Sequence, residues 1–186
     1  GEGGTGAAPP SFADHVSLPL FSGFALVYEI FQIRNLTDKI VFIASGKLGL
    51  PANAARAFAM GADLINVARE AMMSIGCIQA QLCHTNKCPS GVATQSKWLQ
   101  AGIDPTIKSE RFYNYVKYFR QELIQLTQAS GYEHPCQYKM TDIVTTTSDH
   151  HVMRNMEETY GYAKSPVNFT SMNELATCKH LGGIRL

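Results

Sequence analysis

Apolar and polar positions change rhythm several times along this chain. Residues 1–19 (GEGGTGAAPPSFADHVSLP) are rich in glycine and proline and show no period, which predicts a loop. Residues 20–34 (LFSGFALVYEIFQIR) carry Phe24, Val27, Tyr28 and Phe31 at helical spacing, so an amphipathic helix is expected there. Residues 39–44 (KIVFIA) are a short unbroken apolar run with β-branched side chains, the pattern of a fully buried parallel strand. Ser45-Gly46-Lys47 ends that run, Pro51 opens a helix through Met60, and Gly61 stops it. Residues 63–68 (DLINVA) predict a second buried strand, followed at once by a helix over 69–78.

The order strand, helix, strand, helix, with strand starts about 24 residues apart, matches one βαβ repeat. It indicates a parallel sheet or barrel rather than a sandwich. Further on, residues 90–97 are expected as loop, and a long helix is expected over 107–130. Val116, Phe119, Leu123 and Leu126 lie on one face of that helix and Gly131 is its stop. The aromatic stripe Phe112, Tyr115, Tyr118 and Phe119 is read as packing surface. Beyond residue 132 periodicity is sparse, with a short helix near 150–160 and an irregular tail. The pair His150-His151 is expected to face solvent. No internal repeat is visible beyond the two βα units.

Length and composition narrow this picture. A complete eight-fold (β/α) barrel typically needs about 250 residues, and the chain has 186. With 45% hydrophobic residues it can build a core. Its formal charge of +1 argues against a dedicated nucleic-acid surface. No apolar run approaches the ~18 residues of a membrane span, and the N-terminus lacks the basic and apolar regions of a signal peptide. A cytoplasmic location is therefore expected. The chain does not begin with methionine, so residue 1 need not be the natural start. Five cysteines in an apparently unexported chain point to metal or redox chemistry rather than a disulfide framework.

Three segments could carry chemistry. Gly1, Gly3 and Gly6 match G-x-G-x-x-G, but no strand precedes them and Pro9-Pro10 follow. A flexible glycine loop, or one whose bare backbone approaches a ligand, fits better than a dinucleotide fingerprint. Ser45-Gly46-Lys47 and Ala68-Arg69 stand at the carboxyl ends of the two strands, where parallel (β/α) folds hold phosphate. Gly46 permits close approach, the following helices present N–H donors, and Lys47 and Arg69 add positive charge. An ordinary βα turn with solvated basic residues is the equal alternative.

The third segment spaces Cys77, Cys83 and Cys88 as C-x5-C-x4-C, with Pro89 next. Three close thiolates can hold three corners of an iron–sulfur cubane. Zinc with His84 as fourth ligand is the alternative, although zinc sites usually pair ligands as C-x2–4-C. A third reading, buried reduced cysteines, ranks last because the surrounding residues are polar. Cys136 and Cys178 lack partner spacing and read as ordinary thiols.

Taken in order, GEGGTGAAP (1–9), ASGK (44–47), GADLINVAREAM (61–72) and GCIQAQLCHTNKCPSGVATQ (76–95) resemble the flavin-binding synthase domain of glutamate synthases. The match looks closest to the shorter bacterial glutamate-synthase-domain proteins, and residues 108–186 resemble their C-terminal extension only loosely. The resemblance implies an α/β fold: the last two βα units of a (β/α)8 TIM barrel, with an iron–sulfur loop and a mainly helical C-terminal extension. It implies a division into a partial FMN-binding barrel at 1–104 and an extension at 105–186. It assigns a 3Fe–4S cluster to Cys77, Cys83 and Cys88, and FMN phosphate to Ser45, Gly46, Lys47, Ala68 and Arg69. Gly3, Gly4 and Thr5 would line the flavin side of the mouth.

The implied activity is reductive formation of glutamate from 2-oxoglutarate, with ferredoxin or a reductase subunit as electron donor. The family's substrate-binding and catalytic residues lie upstream of GEGGTGAAP, so no catalytic residue is assigned in this chain. At strand eight the large enzymes carry Gly-Thr where this chain has Ala68-Arg69. Two other classes stay open at this point: a non-catalytic iron–sulfur electron-transfer module, and an inactive truncated gene product. An incomplete barrel further predicts self-association through open strand edges.

Overall fold

A computed structural model of the chain describes residues 2, 8–146 and 153–164. The aromatic-rich helix α2 (Leu20–Ile33) leads through a 3₁₀ turn at Thr37–Lys39 into strand β1 (Ile43–Ser45). Helix α3 (Pro51–Ala59), strand β2 (Leu64–Asn66) and helix α4 (Arg69–Ser74) follow. β1 and β2 are parallel, with Ile43 opposite Leu64, Ala44 opposite Ile65 and Ser45 opposite Asn66. The expected strand, helix, strand, helix order is therefore present. The fold is mixed α/β, and among the described residues this sheet is an open pair rather than a closed barrel.

Both strands are shorter than the apolar runs that predict them (39–44 and 63–68), and a side chain explains the first limit. The Asp63 carboxylate accepts the Phe42 N–H at 2.8 Å, while the Phe42 carbonyl accepts from Asp63 N and Leu64 N. The ladder thus starts at Ile43, and the chain before it turns.

Three apolar clusters surround α3. Alanines on this helix let its neighbours approach closely, and Ala54, Ala55, Ala57 and Ala59 are all buried. Ala57 packs with Ala44, Leu48 and Ala62, tying the helix to the end of β1 and to the segment before β2. Ala54, Ala55, Phe58 and Ala59 meet Leu123, Cys136 and Tyr138. Leu123 lies on the long helix α6, which runs Pro105–Ala129 after the short helix α5 (Lys97–Gln100). A third cluster joins Tyr28 and Phe42 to Met140, Met156 and Tyr162. The Tyr28 ring stands 5.0 Å from Phe42 and 5.3 Å from Tyr162 between centroids.

Several expectations are corrected. Within residues 1–19, helix α1 (Pro10–His15) replaces part of the expected loop. Pro10 occupies the first helical position, where its missing N–H costs nothing. On α2, Val27 is exposed while Ala25 and Tyr28 are buried. The helix expected over 69–78 stops at Ser74, because Gly76 takes a φ of 113°. There the Cys77 N–H donates to the Met72 carbonyl and the Gly76 N–H to that of Met73, a Schellman stop. α6 begins two residues before the expected 107, since Asp104 caps it by accepting the Thr106 N–H at 2.9 Å. On its aromatic stripe Tyr115 and Phe119 pack, whereas Tyr118 is exposed.

The segment after 132 is more ordered than its sparse pattern suggests, and less helical than expected. Strands β3 (Val144–Thr146) and β4 (Met153–Asn155) pair antiparallel, and helix α7 (Met156–Tyr160) follows. Three-residue strands are too short for alternation to be read. His150, His151, Cys178 and the tail from 165 lie outside the described residues. Among the described residues no helix is long and apolar enough to cross a membrane.

Two glycines in left-handed backbone give a paired test. Gly61 (φ 109°) has the Tyr28 ring where its Cβ would be, and Gly131 (φ 82°) has open space there. Gly131→Ala is expected to cost about 1 kcal/mol from backbone strain. Gly61→Ala adds overlap with a buried ring and is expected to cost about 3 kcal/mol. Denaturant unfolding measures both, and equal losses would show that the ring yields.

Candidate functional site

The carboxyl ends of β1 and β2 open into one small pocket. Ser45 and Asn66, paired in the ladder, form its floor. Gly46 and Lys47 supply one wall, and Ala68, Arg69 and Glu70 the other. The structure thus brings Ser45, Gly46, Lys47, Ala68 and Arg69 together. Gly46 has a φ of 151°, and a Cβ there would meet that of Leu20 at 3.0 Å, so the bare backbone is needed. Lys47 follows in left-handed backbone (φ 52°), and its carbonyl accepts the Asn53 side-chain amide at 3.0 Å. α4 starts directly at Arg69, so the first turn of that helix borders the same opening.

Both cations of the pocket face carboxylates. Arg69 Nη2 donates to Asp14 Oδ1 at 3.0 Å. This guanidinium hydrogen bond, working against desolvation, holds the Asp14 carboxyl below its ordinary range. Lys47 Nζ lies 3.8 Å from Glu2 Oε1, and Glu2 Oε2 accepts the Leu20 N–H at 3.0 Å. Gly3, Gly4 and Thr5 lie outside the described residues.

Behind the pocket the loop after β1 is held from α6. The Tyr115 hydroxyl donates to the Gly49 carbonyl at 2.8 Å, and the Glu70 side chain fills the space where a Gly49 Cβ would go. Neither Tyr115 nor Gly49 carries a sequence signal, since an aromatic on an amphipathic helix reads as packing. Glu2 and Asp14 are likewise invisible, because each sits in a segment without period. Asn66 lay inside the strand expected over 63–68, and only the observed end of β2 places it at the pocket.

The three-cysteine loop starts from the Schellman stop of α4. Cys77, Cys83, Cys88 and also Cys136 are free thiols. Gln79, Gln81 and Asn86 all take left-handed backbone, which turns the loop repeatedly upon itself. The Gln79 N–H donates to Cys77 Sγ at 3.4 Å. Cys88 is buried, and burial raises its thiol pKa. Hydrogen bonds from the Ser90 hydroxyl and the N–H groups of Ala93, Ser90 and Val92 outweigh that effect and lower it. Asn86 Oδ1 accepts the Gln95 N–H at 2.6 Å and the Thr94 hydroxyl at 2.8 Å, clamping the segment around Cys88. His84, the alternative zinc ligand, is exposed. The three sulfurs do not converge: among the described residues no group of three or more His, Cys, Asp or Glu is placed to hold a metal ion.

The tie between Tyr115 and Gly49 has a pH signature. Burial first, and the Glu70 carboxylate second, push the Tyr115 pKa up to about 12. The unfolded chain releases this proton near its ordinary value of 10.0. Tyr115 therefore contributes stability that is complete below pH 10 and is lost as pH rises towards about 12. Tyr132, also raised to about 12, acts in the same direction. Tyr115→Phe is expected to make the alkaline fall in melting temperature shallower, and an unchanged slope would contradict the tie.

Comparison with known proteins places these features in a family. A family model described as a conserved region in glutamate synthase matches residues 1–133. A glutamate synthase large subunit-like protein, YerD, of Bacillus subtilis is 40% identical over 148 residues, covering 80% of this chain and 28% of that protein. The archaeal glutamate synthase [NADPH] of Methanocaldococcus jannaschii is 36% identical over 130 residues, covering 70% of this chain and 26% of that one. The ferredoxin-dependent glutamate synthase of Pyropia yezoensis is 33% identical over 132 residues, which are 71% of this chain and 8% of its own length. The chain thus spans about a quarter, or less, of these relatives' lengths. The matched region contains both βα units, the strand-end pocket and the three-cysteine loop, and the chain belongs to the glutamate synthase family.

Proposed function

We propose that this chain is the C-terminal part of a flavin- and iron–sulfur-dependent synthase domain that forms glutamate from 2-oxoglutarate. The observation that carries the reading is one of placement. The ends of two parallel strands share a pocket with Lys47 and Arg69, and the helix that begins at Arg69 leads into the three-cysteine loop. α4 has six residues, so about 9 Å of helix axis links the two features. In this reading β1–α3 and β2–α4 are the last two βα units of a (β/α)8 barrel. The division at residue 104 is one of function, with cofactor groups before it, since α6 shares a core with α3.

The pocket residues fit the phosphate end of FMN. At Gly46 the bare backbone packs against Leu20 and Glu2, so the pocket offers a ligand its two cations rather than open backbone. The Glu2 carboxylate already stands in for an anion there. Lys47 and Arg69 would pair with the phosphate charge, Ser45 and Ala68 would border it, and Gly3, Gly4 and Thr5 would line the flavin side. Three thiols on one loop supply the donor type of an iron–sulfur cluster, here 3Fe–4S, and binding it would have to draw their sulfurs together. Cys77, Cys83 and Cys88 would ligate it, with hydrogen bonds already directed at the sulfurs of Cys77 and Cys88.

FMN supplies hydride chemistry for reducing an imine to an amine, and the cluster supplies single-electron steps. The residues of this chain bind and orient those groups. Ferredoxin or a reductase subunit is the proposed electron donor, and reduced thiols suit a cytoplasmic setting. The unpaired outer edges of β1 and β2 are proposed to associate with further βα units or with another copy of the chain.

Anaerobic reconstitution with iron and sulfide is expected to give a brown protein with about three irons per chain. Cys83→Ser should lose most of that iron, whereas Cys136→Ser should keep it. Lys47→Ala and Arg69→Ala should each weaken FMN binding roughly tenfold. A colourless protein would overturn the cluster assignment, and iron without FMN would favour an electron-transfer module.

A further inference from the structure

We propose that the Glu2 carboxylate is an internal occupant of the strand-end pocket, and that a phosphate monoester enters only in exchange for it. The inference rests on reading that pocket as a phosphate site.

Glu2 holds two groups that a phosphate would use there. Its Oε2 accepts the N–H of Leu20, the first residue of the fourteen-residue helix α2, whose N-cap Pro19 provides no side-chain cap. Its Oε1 faces the Lys47 ammonium at 3.8 Å. Its Cβ lies 3.4 Å from the point where a Gly46 Cβ would stand, beside Leu20 Cβ at 3.0 Å, so the two side chains together cover that turn. The contact with Leu20 bridges eighteen positions of sequence, so it is not a local cap.

Charge makes simultaneous occupancy unfavourable. Two cations, Lys47 and Arg69, line the pocket, and Glu2 and Glu70 line it as well. Asp14 already takes Arg69. A dianion added to this set would meet an excess of negative charge at a partly buried position. Removing Glu2 returns to the incoming phosphate an ammonium and a helix N–H. The pocket is thus an anion site whose resting anion belongs to the protein.

The test uses the full chain and its Glu2→Gln variant, titrated with FMN by flavin fluorescence and with inorganic phosphate as competitor. Riboflavin, which lacks the phosphate, is the control. Glutamine keeps an oxygen for the Leu20 N–H and removes the charge. Glu2→Gln is expected to bind FMN and phosphate roughly five- to tenfold more tightly, with riboflavin affinity unchanged. In the unaltered chain, saturating phosphate should shift the Leu20 amide resonance, because its acceptor changes.

Equal or weaker FMN and phosphate binding by Glu2→Gln would overturn the proposal and make Glu2 a structural tie. An unmoved Leu20 resonance at saturation would overturn it too. Failure of FMN and phosphate to bind either form is a different result: it removes the phosphate reading of the pocket, and the exchange with it.

Discussion

The parallel register of β1 and β2 is the constraint on which the rest depends. Pairing Ser45 with Asn66 makes both strands end at one level, so the loops that follow open side by side. A slip of one residue would turn the buried Ala44 outward and separate the two loop starts. Asp63 guards against that slip. Its carboxylate takes the Phe42 amide, which fixes where the ladder begins from a position next to β2 itself.

Helix α3 turns this register into a rigid pocket. Its alanines are small enough for the strands to press on one side and α6 on the other. Larger side chains would gain buried area but push α6 away, and the hydrogen bond from Tyr115 to Gly49 would be lost. The loop after β1 is thus held between its own strand and a helix 66 positions away in sequence. Close packing here positions the site and stabilises the core at the same time.

Much of this was legible from the residues, and the unread parts have physical causes. The β-branched run before Ser45 and the Pro51 to Gly61 frame report local preferences, so strand, helix, strand, helix could be read directly. The cysteine spacing was also plain to read, but the surroundings of each sulfur were not, and Cys88 lies buried despite its polar neighbours. The start of β1, by contrast, is set by Asp63, a contact across 21 positions that no local pattern carries. The hairpin of β3 and β4 escaped because three residues cannot display a period. Val27 failed as a core position because α2 is apolar nearly all round, with Leu26, Ile30 and Ile33 also exposed. Periodicity cannot choose the buried face of such a helix.

The same reasoning explains why the pocket and the cysteine loop form one unit. α4 is only six residues long, too short to be stable alone, so it exists because both ends are fixed. Ala68 and Arg69 fix the first end at the pocket, where Arg69 is tied to Asp14. The Schellman bonds at Gly76 and Cys77 fix the other. Gly76 has a φ of 113°, which a side chain would resist, so the direction in which the chain leaves towards Cys83 is set by backbone geometry. The helix is thus tied at both ends by hydrogen bonds, which sets the first cysteine a fixed distance along the chain from the pocket.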